Sequence, residues 1–351
     1  MDDLIPGLPS DIALECLIRI PFDRFSSARS VCRSWRTELG SPASTASATP
    51  PAKPKPSLPS SRPSPKPIQS GPAHKYSTPA YRISLLQPDS ATWTSLPPIP
   101  DLPLGLPLFC QLAFAGSGLV LLGGWDPASW AVSNAVFVYD FVESTWRRGT
   151  PMPGPKRSFF ACSASVDPSV VYVAGGHDED KNALKSALAY DVARDEWTQL
   201  ADMAVERDEC RGVFARGRFH VIGGYGTETQ GRFGKSAESF DVATWKWGPV
   251  EEDKVSDGTC ARTCVAGEDG RMYMCVDGHV AVEDGVTWRV VAELPERARV
   301  GQALLTWKGG LMVVASGAQF VYTLEKGGTW RCVEAPHDFS GHVQAVCCLV
   351  I

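Results

Sequence analysis

The sequence contains neither a long hydrophobic run nor cysteines at paired spacing. No apolar stretch reaches the roughly 18 residues that a membrane-spanning helix needs. The chain begins with Met1-Asp2-Asp3, an acidic start unlike the basic start of a secretion signal. The 11 cysteines are an odd number without paired spacing, which argues against a disulfide framework. We therefore expect a reduced, soluble protein of the cytoplasm or nucleus that has no membrane partner.

The sequence also lacks an excess of positive charge and the common catalytic motifs. A formal net charge of −5 over 351 residues leaves no basic footprint for nucleic acid. No nucleophile elbow, phosphate-binding loop or HExxH motif occurs. These absences predict a protein that does not bind nucleic acid, needs no cofactor and has no enzyme activity of its own.

What the sequence does contain is a cassette that recurs about every 50 residues. An apolar run ends in two glycines, and an aromatic–Asp pair follows, with Trp seven residues after the aromatic residue. The three clear copies carry Gly123, Gly124, Tyr139, Asp140 and Trp146; Gly175, Gly176, Tyr190, Asp191 and Trp197; and Gly223, Gly224, Phe240, Asp241 and Trp247. Each copy predicts four strands, whose sheet is buried on both faces only by neighbouring copies. This period is typical of a β-propeller with kelch-type blades.

Weaker copies extend the array on both sides. Those ending in Trp288 and Trp330 keep the strand but lack the glycine pair, and Trp93 marks the last strand of a further copy. Residues 342–351 have the pattern of a first strand without a blade of its own. We therefore expect the two chain ends to share one blade. The prediction is an all-β propeller over residues 80–351, with six blades closed by pairing N- and C-terminal strands; five or seven blades are the alternatives.

Two regions before the propeller differ from it in composition. Residues 1–40 carry apolar side chains at helical spacing, with Ser10 as an N-cap and Pro21 as a stop. So small a helical unit can hardly form a stable core alone, and we expect part of its apolar surface to contact a partner. Residues 41–79 are rich in proline and serine and nearly free of apolar side chains. That composition predicts a disordered, extended linker.

The first region resembles an F-box almost position for position. The resemblance rests on residues 8–21, Leu-Pro-Ser-Asp-Ile-Ala-Leu-Glu-Cys-Leu-Ile-Arg-Ile-Pro, and on residues 31–36, Val-Cys-Arg-Ser-Trp-Arg. It implies a small all-α module of three helices that binds the Skp-type adaptor of cullin-RING ubiquitin ligases. The positions that it implies at the adaptor-binding face, or in support of that face, are Leu8, Pro9, Ile12, Leu17, Ile20, Pro21, Val31 and Trp35. The alternative is a small helical cap packed on the propeller.

Long loops on one face of the propeller form the predicted target-binding site. Strands of a blade alternate in direction, so the loop after each glycine strand and the loop leading into each blade open on the same face. Aromatic and arginine side chains among charges are typical of protein-binding surfaces. The candidate residues are Trp125, Asp126, Trp130, Arg157, His177, Asp178, Arg207, Tyr225, Arg232 and Phe233. The alternative is that these loops only connect strands and that their charges are solvated.

Cysteine and histidine raise the alternative of a metal site. Cys110, Cys162 and Cys210 each lie 13 residues before the first glycine of their pair, which predicts equivalent places on successive innermost strands. They lack CxxC pairs and histidine partners, so we expect them to pack in the core and to hold no metal. His177 and His279 fall in loops of the candidate face without a facing ligand set. A metal-dependent oxidase, known among kelch propellers, is the remaining enzyme alternative.

As a whole the chain resembles plant F-box/kelch-repeat proteins, in particular the group called KISS ME DEADLY. The stretches that carry the resemblance are 123–127 (Gly-Gly-Trp-Asp-Pro), 157–160 (Arg-Ser-Phe-Phe), 175–179 (Gly-Gly-His-Asp-Glu), 206–210 (Glu-Arg-Asp-Glu-Cys) and 240–247 (Phe-Asp-Val-Ala-Thr-Trp-Lys-Trp).

That family implies a non-catalytic substrate receptor of a Skp–cullin–F-box (SCF) ubiquitin ligase, which holds a target protein for ubiquitination and proteasomal degradation. It further implies, as targets, type-B response regulators of cytokinin signalling or phenylalanine ammonia-lyase of phenylpropanoid metabolism. A kelch scaffold that binds its partner without degradation is the alternative.

Overall fold

The structure is a computed structural model of the chain. This structure describes residues 5, 31, 35, 56–64, 80–165, 169–255, 261–285, 287–299, 303–325 and 327–350. Every element with defined bounds in these ranges is a β-strand or a short 3-10 turn. Within the same ranges, no helix has both the length and the apolar character needed to cross a bilayer.

The strands run in chain order as follows. The first three are β1 (Pro56–Ser64), β2 (Ala80–Gln87) and β3 (Thr92–Ser95). The next twelve are β4 (Gln111–Ala115), β5 (Gly118–Leu122), β6 (Val136–Asp140), β7 (Thr145–Gly149), β8 (Ala161–Ala164), β9 (Val170–Ala174), β10 (Ala187–Asp191), β11 (Glu196–Gln199), β12 (Arg211–Ala215), β13 (Arg218–Ile222), β14 (Ala237–Asp241) and β15 (Lys246–Trp247). The last nine are β16 (Val265–Ala266), β17 (Met272–Val276), β18 (His279–Asp284), β19 (Thr287–Glu293), β20 (Ala303–Trp307), β21 (Gly310–Val314), β22 (Phe320–Leu324), β23 (Trp330–Glu334) and β24 (Leu349–Val350). Short 3-10 turns lie at Thr227–Thr229, Ala261–Thr263, Glu296–Ala298, Ser316–Ala318 and His337–Phe339.

Five blades of a propeller follow one another along the chain, each a four-stranded antiparallel sheet. Blade 1 contains β4–β7, blade 2 β8–β11, blade 3 β12–β15, blade 4 β16–β19 and blade 5 β20–β23. The first strands of blades 1, 2, 3 and 5 line a central channel. Apolar side chains of adjacent sheets pack together between the blades, as Val120 of blade 1 does with Val173 and Tyr190 of blade 2. The core is therefore a ring of inter-blade clusters, which explains why the strands are apolar on both faces.

The repeated tryptophan ties each blade to the sheet before it. In all five blades the indole Nε1 donates a hydrogen bond of 2.7–2.8 Å to a backbone carbonyl at the end of the preceding sheet or in the segment that follows it. The pairs are Trp146 with Pro97, Trp197 with Thr150, Trp247 with Ala201, Trp288 with Lys254 and Trp330 with Glu293. The recurrence of tryptophan in the sequence thus has a physical cause in a contact between repeats.

The repeated aspartate closes the turn between the third and fourth strands. In blades 1 to 3, Oδ1 of Asp140, Asp191 or Asp241 accepts hydrogen bonds from the backbone N–H groups two and three residues further on. Such a turn requires a short side-chain acceptor, which aspartate provides. The aromatic–Asp pair therefore marks the end of the third strand.

The glycine pair allows two backbone segments to approach closely. Gly176 has a φ of +82°, and a Cβ atom there would lie 2.4 Å from the carbonyl oxygen of Ser158 in its own blade. Gly175 has a φ of +67°, and a Cβ atom there would lie 2.4 Å from the carbonyl oxygen of Arg207 in the next blade. Only glycine fits both the backbone conformation and the space.

The predicted number of kelch blades is wrong. The structure forms five kelch blades rather than six. Five was one of the two alternatives to the prediction. A further sheet, in the order β24-β1-β2-β3, lies where the two ends of the chain meet. This closing sheet is not a sixth kelch blade, because β1 comes from the proline-rich segment rather than from a copy of the cassette. Among the described residues two pairs, Pro56 with Val350 and Ser57 with Leu349, join β1 to β24.

The predicted three-helix module is not supported either. Among the described residues no α-helix has defined bounds. The adaptor-binding positions that lie outside the described residues are Leu8, Pro9, Ile12, Leu17, Ile20 and Pro21. Of the other two, Val31 is 62 % exposed and Trp35 is partly buried. Trp35 itself has an α-helical backbone, and apart from residues 5, 31 and 35 the predicted module lies outside the described residues. The domain boundaries near residues 40 and 80 stay predictions.

Candidate target-binding face

Loops of blades 1 to 3 build up one face around the mouth of the channel. The connections between the second and third strands span residues 123–135, 175–186 and 223–236. In blade 4 the equivalent connection is only the two-residue turn Asp277-Gly278. Long loops therefore project from this face over blades 1 to 3, whereas the face is low over blade 4.

Five aromatic side chains on this face contact one another and form a cluster that we call the aromatic patch: Phe109, Trp125, Trp130, Phe159 and His177. Phe159 lies between Phe109 and His177, with ring centroids 4.7 and 5.4 Å away. Trp125 meets Phe109 edge to face at 5.9 Å and Trp130 at 6.3 Å. Because Trp130 is 53 % and Phe109 38 % exposed, the patch presents apolar surface to solvent.

Three members of the aromatic patch have an unusual backbone conformation. Phe109, Phe159 and Trp130 have φ angles of 59°, 56° and 58°. Bulky residues rarely adopt this left-handed region, which costs about 1–3 kcal/mol. Glu209, at the corresponding position of blade 3, has a φ of 49°. Because Phe109, Phe159 and Glu209 also line the channel, this repeated conformation places a large side chain at the mouth in three successive blades.

A segment that follows the last blade holds Phe109 in place. The Phe109 N–H donates to Gln344 Oε1 at 2.9 Å, and Gln344 Nε2 donates to the Pro107 carbonyl oxygen, also at 2.9 Å. Two residues earlier, His342 Nδ1 lies 2.8 Å from the Tyr81 hydroxyl. This segment therefore fixes one edge of the aromatic patch.

His177 links two blades through both ring nitrogens. Its Nδ1 lies 2.8 Å from Asp208 Oδ2, and its Nε2 lies 2.9 Å from Ser158 Oγ. Serine, histidine and aspartate in this order resemble a hydrolytic triad, but Ser158 has no exposed surface and Asp208 is 3 % exposed. A substrate carbonyl therefore has no path to Ser158 Oγ. The hydrogen bonds instead fix the imidazole ring, which Phe159 and Trp125 contact.

Arg157 and Arg207, which were predicted to contact a target, are only 1 % and 2 % exposed. Each guanidinium donates to two carbonyl oxygens beside the glycine loop of its own blade: Gly175 and Ser186 for Arg157, Gly223 and Ser236 for Arg207. Arg207 also pairs with Glu238 at 3.3 Å, whereas burial lowers the pKa of Arg157 to about 10. Both arginines stabilise the glycine loops from inside the protein and are not part of the exposed face.

Asp126 and Asp178 build the loops in which they lie. Asp126 Oδ1 accepts hydrogen bonds from the N–H groups of Ser129 at 2.7 Å and Ala128 at 3.0 Å. These bonds, above all the one from the Ser129 N–H, lower the pKa of the Asp126 carboxyl. Asp178 Oδ1 accepts in the same way from the N–H groups of Asp180 and Asn182. Both carboxylates stabilise the loops that carry the aromatic patch.

Tyr225, Arg232 and Phe233 form a second, smaller group on blade 3. The Tyr225 hydroxyl donates to Glu209 Oε1 at 2.9 Å, and the Tyr225 and Phe233 rings lie 5.4 Å apart. Arg232 is exposed on the same loop. The predicted face thus divides into an apolar part on blades 1 and 2 and a polar part on blade 3.

The three cysteines do not occupy equivalent positions. The strand registers align the residues that begin the innermost strands, Gln111, Ala161 and Arg211. Cys110 and Cys210 therefore share a position that Phe160 fills in blade 2, and Cys162 lies two residues further on. Burial raises the pKa of the Cys110 thiol to about 12 and that of Cys210 to about 11. In the described part of the chain, no three His, Cys, Asp or Glu side chains are grouped so as to hold a metal ion.

Sequence reasoning missed Phe109 and Phe159. The signal was present, because Phe109, Phe159 and Glu209 recur at intervals of 50 residues, two residues before the aligned starts of the innermost strands. A position that recurs with the blades but varies between aromatic and acidic is not needed for packing. Such a position is a candidate for binding.

The sequence profile described as "Kelch motif" matches residues 110–153 and 159–204, which contain blades 1 and 2. Sheet order, glycine pairs and inter-blade tryptophan bonds define the chain as a kelch-type β-propeller. Among solved structures, the one named "Structure of YjhT" is similar with a TM-score of 0.55 and 16 % identity. The similarity covers 75 % of this chain and 90 % of that one. At that identity it supports the propeller fold alone.

Similarity to proteins of Arabidopsis thaliana extends through nearly the whole chain. The F-box/kelch-repeat proteins At1g80440 and At1g15670 are each 44 % identical to it, over 99 % of this chain and 100 % of theirs. The F-box/kelch-repeat protein SKIP20 is 36 % identical, over 96 % of this chain and 94 % of its own. The chain belongs to the family of F-box/kelch-repeat proteins.

Proposed function

We propose that this protein is the target-recognition subunit of an SCF-type E3 ubiquitin ligase in the cytoplasm or nucleus. Its F-box segment, residues 1–40, binds a Skp-type adaptor and through it a cullin. The propeller face holds a target protein, and other subunits transfer ubiquitin. The contribution of this chain to the rate is proximity, because a bound target presents its lysines at high effective concentration.

The aromatic patch is the observation that carries the target-binding part of this proposal. Contiguous exposed apolar surface is uncommon on a soluble protein unless it meets a partner, and binding hot spots are rich in aromatic residues. The patch is also preorganised by strained backbone and by hydrogen bonds to His177 and Phe109. The low side of the face, over blade 4, leaves room for a segment of the target to cross the channel mouth.

Family resemblance supplies candidate targets. Type-B response regulators would place the protein in cytokinin signalling, and phenylalanine ammonia-lyase would place it in phenylpropanoid metabolism. Both can be purified and tested directly. A kelch scaffold without degradation shares the propeller face, and only the F-box segment distinguishes the two functions.

The first prediction concerns the F-box segment. Changing Leu8 and Pro9 to alanine is expected to weaken binding of a purified Skp-type adaptor by at least about tenfold, because it removes two apolar contacts that the F-box resemblance places at the interface. Isothermal titration calorimetry measures this. The matched control changes Pro103 and the exposed Leu104 to alanine and should leave adaptor affinity unchanged. Equal adaptor affinities of the two variants would contradict the F-box assignment. If the wild type binds the adaptor but a reconstituted ligase does not ubiquitinate the target, the scaffold function is favoured.

The second prediction concerns the aromatic patch. Changing Trp130 to alanine is expected to weaken binding of a purified candidate target by about 10- to 100-fold, the range of a hot-spot side chain. The control is Trp245→Ala on the turn between β14 and β15, since Trp245 has nearly the same exposure and φ, 52 % and 56° against 53 % and 58° for Trp130. Surface plasmon resonance compares the two. If Trp245→Ala loses as much affinity, or neither variant loses any, the target does not bind at the patch.

A further inference from the structure

A cavity of about 470 Å³ occupies the central channel. Phe109 and Phe159 of the aromatic patch form part of its lining, so it opens at the candidate face. Its polar lining includes Gln111, Ser163 and Arg211. A volume of this size lies within the range of small-ligand sites, roughly 300–1,000 Å³.

Arg211 lies at the wall of this cavity without a counter-charge. Its side chain is partly buried, and its Nε donates to the Cys264 carbonyl oxygen at 2.9 Å. In the described ranges no carboxylate forms an ion pair with it. A guanidinium stays protonated at physiological pH, and a charge removed from water without a partner is unfavourable. The channel wall therefore carries a fixed positive charge that an anion would stabilise.

The two thiols that interact electrostatically with this guanidinium, Cys162 and Cys264, are neutral. Burial raises the pKa of the Cys162 and Cys264 thiols to about 12 each, so both are protonated at neutral pH. Burial also lowers the pKa of Arg211 itself, as expected for a cation in a poorly solvated place. Neither thiol supplies the missing negative charge.

The acidic residue at the cavity already has partners. Glu209 accepts a hydrogen bond from the Tyr225 hydroxyl at 2.9 Å, and its Oε2 lies 3.8 Å from Arg262 Nη2. Arg262 lines the same cavity and its side chain is 74 % exposed. Two arginines thus face one carboxylate, which leaves the described lining with an excess of positive charge.

We propose that the channel contains a binding site for a carboxylate group, held by the two Nη groups of Arg211. With Nε engaged by the Cys264 carbonyl, Nη1 and Nη2 remain to donate to the two oxygens of one carboxylate, a geometry that arginine favours. The carboxylate belongs either to a free small acid or to an Asp or Glu side chain of a target that enters from the mouth. The second source rests on the proposed function, and the first does not.

The experiment uses the full chain and two kinds of probe. Succinate represents the free acid, and a pair of heptapeptides, Gly-Ser-Phe-Glu-Phe-Ser-Gly and its Gln counterpart, represents the polypeptide side chain. Affinity is measured by thermal shift at constant ionic strength, since a ligand that binds only the folded state raises the Tm in a saturable way. Arg211→Gln is expected to weaken binding by about 10- to 100-fold. The control Arg194→Gln, at a side chain 77 % exposed on the turn after β10, should bind like the wild type.

The outcomes separate the sources. Arg211-dependent binding of succinate supports a free acid, and Arg211-dependent binding of only the Glu peptide supports a target side chain. If neither succinate nor the Glu peptide binds, or if Arg211→Gln and Arg194→Gln bind a probe equally well, the proposed site is wrong. A target that Arg211→Gln still binds but Trp130→Ala does not would overturn the target source and leave the proposed function standing. If Arg211→Gln does not fold, the Arg211 side-chain ¹⁵N resonances of the wild type decide, because saturating probe must shift them.

Discussion

Replacing Glu238 by glutamine is expected to lower the free energy of unfolding by about 3–5 kcal/mol. Glu238 has no exposed surface, and its partner Arg207, 3.3 Å away, is 2 % exposed. The carboxylate also accepts from the N–H groups of Ala204 at 2.7 Å and Val205 at 3.1 Å. A neutral amide leaves the guanidinium buried without a counter-charge and directs one NH₂ group towards donors. Urea denaturation measures the loss.

A half-exposed pair provides the control for this substitution. Glu325 lies 3.3 Å from Arg331, and the two side chains are 50 % and 39 % exposed. Glu325→Gln should change the free energy of unfolding by no more than about 1 kcal/mol, because water screens an exposed pair. The double variant Arg207→Met/Glu238→Leu should recover much of the loss, since it leaves neither charge buried. Equal effects at Glu238 and Glu325 would mean that the buried pair does not hold blade 3 together.

Changing Gly176 to alanine is expected to destabilise the propeller by about 2–4 kcal/mol. The new Cβ atom would lie 2.4 Å from the Ser158 carbonyl oxygen and 2.9 Å from Phe160 Cβ, at a φ of +82°. Any relaxation moves Ser158, which hydrogen-bonds His177. Loss of stability should therefore accompany weaker target binding at the aromatic patch.

A substitution at Gly154 separates the two causes of the loss of stability, which are the left-handed backbone conformation and the close contact with Ser158. Its φ is +79°, nearly the same, but nothing lies within 4 Å of an added Cβ. Gly154→Ala should cost only the left-handed conformation, about 1–2 kcal/mol, and should leave target binding intact. Thermal denaturation of both variants gives the difference. If the two losses are equal, the close approach to Ser158 does not contribute.

The number of blades was predicted wrongly, but the kelch repeats themselves could be found in the sequence because each repeated residue makes a contact within its own repeat or with a neighbouring one. Trp197 bonds the preceding sheet, Asp191 closes a turn, and Gly176 allows the close approach of Ser158 in its own blade. The closing sheet could not be predicted. Strand β1 lies in a proline-rich segment without alternating apolar residues, and it is paired because β2 offers a free edge rather than through its own propensity.

The candidate site was only partly predictable. Trp125 and Trp130 were found because they lie on a long loop, and the structure brings them together with Phe109. Arg157 and Arg207 were predicted to lie on the exposed face because an arginine near a loop is usually solvated. Both side chains are instead buried, since they donate hydrogen bonds to carbonyl oxygens beside the glycine loops. The recurrence of the same residue type, arginine, at a spacing of 50 residues is itself the sign of a packed position.

The direction of the tryptophan bonds has a consequence for synthesis on the ribosome. Each indole reaches back to a sheet that is earlier in the chain, so every blade can dock as it emerges, without waiting for later residues. The closing sheet is different, because β1 pairs with residues 349–350. Translation must reach those residues before the circle can close. Until then β1 presents an open strand edge, and this is the stage at which the nascent protein most needs a chaperone.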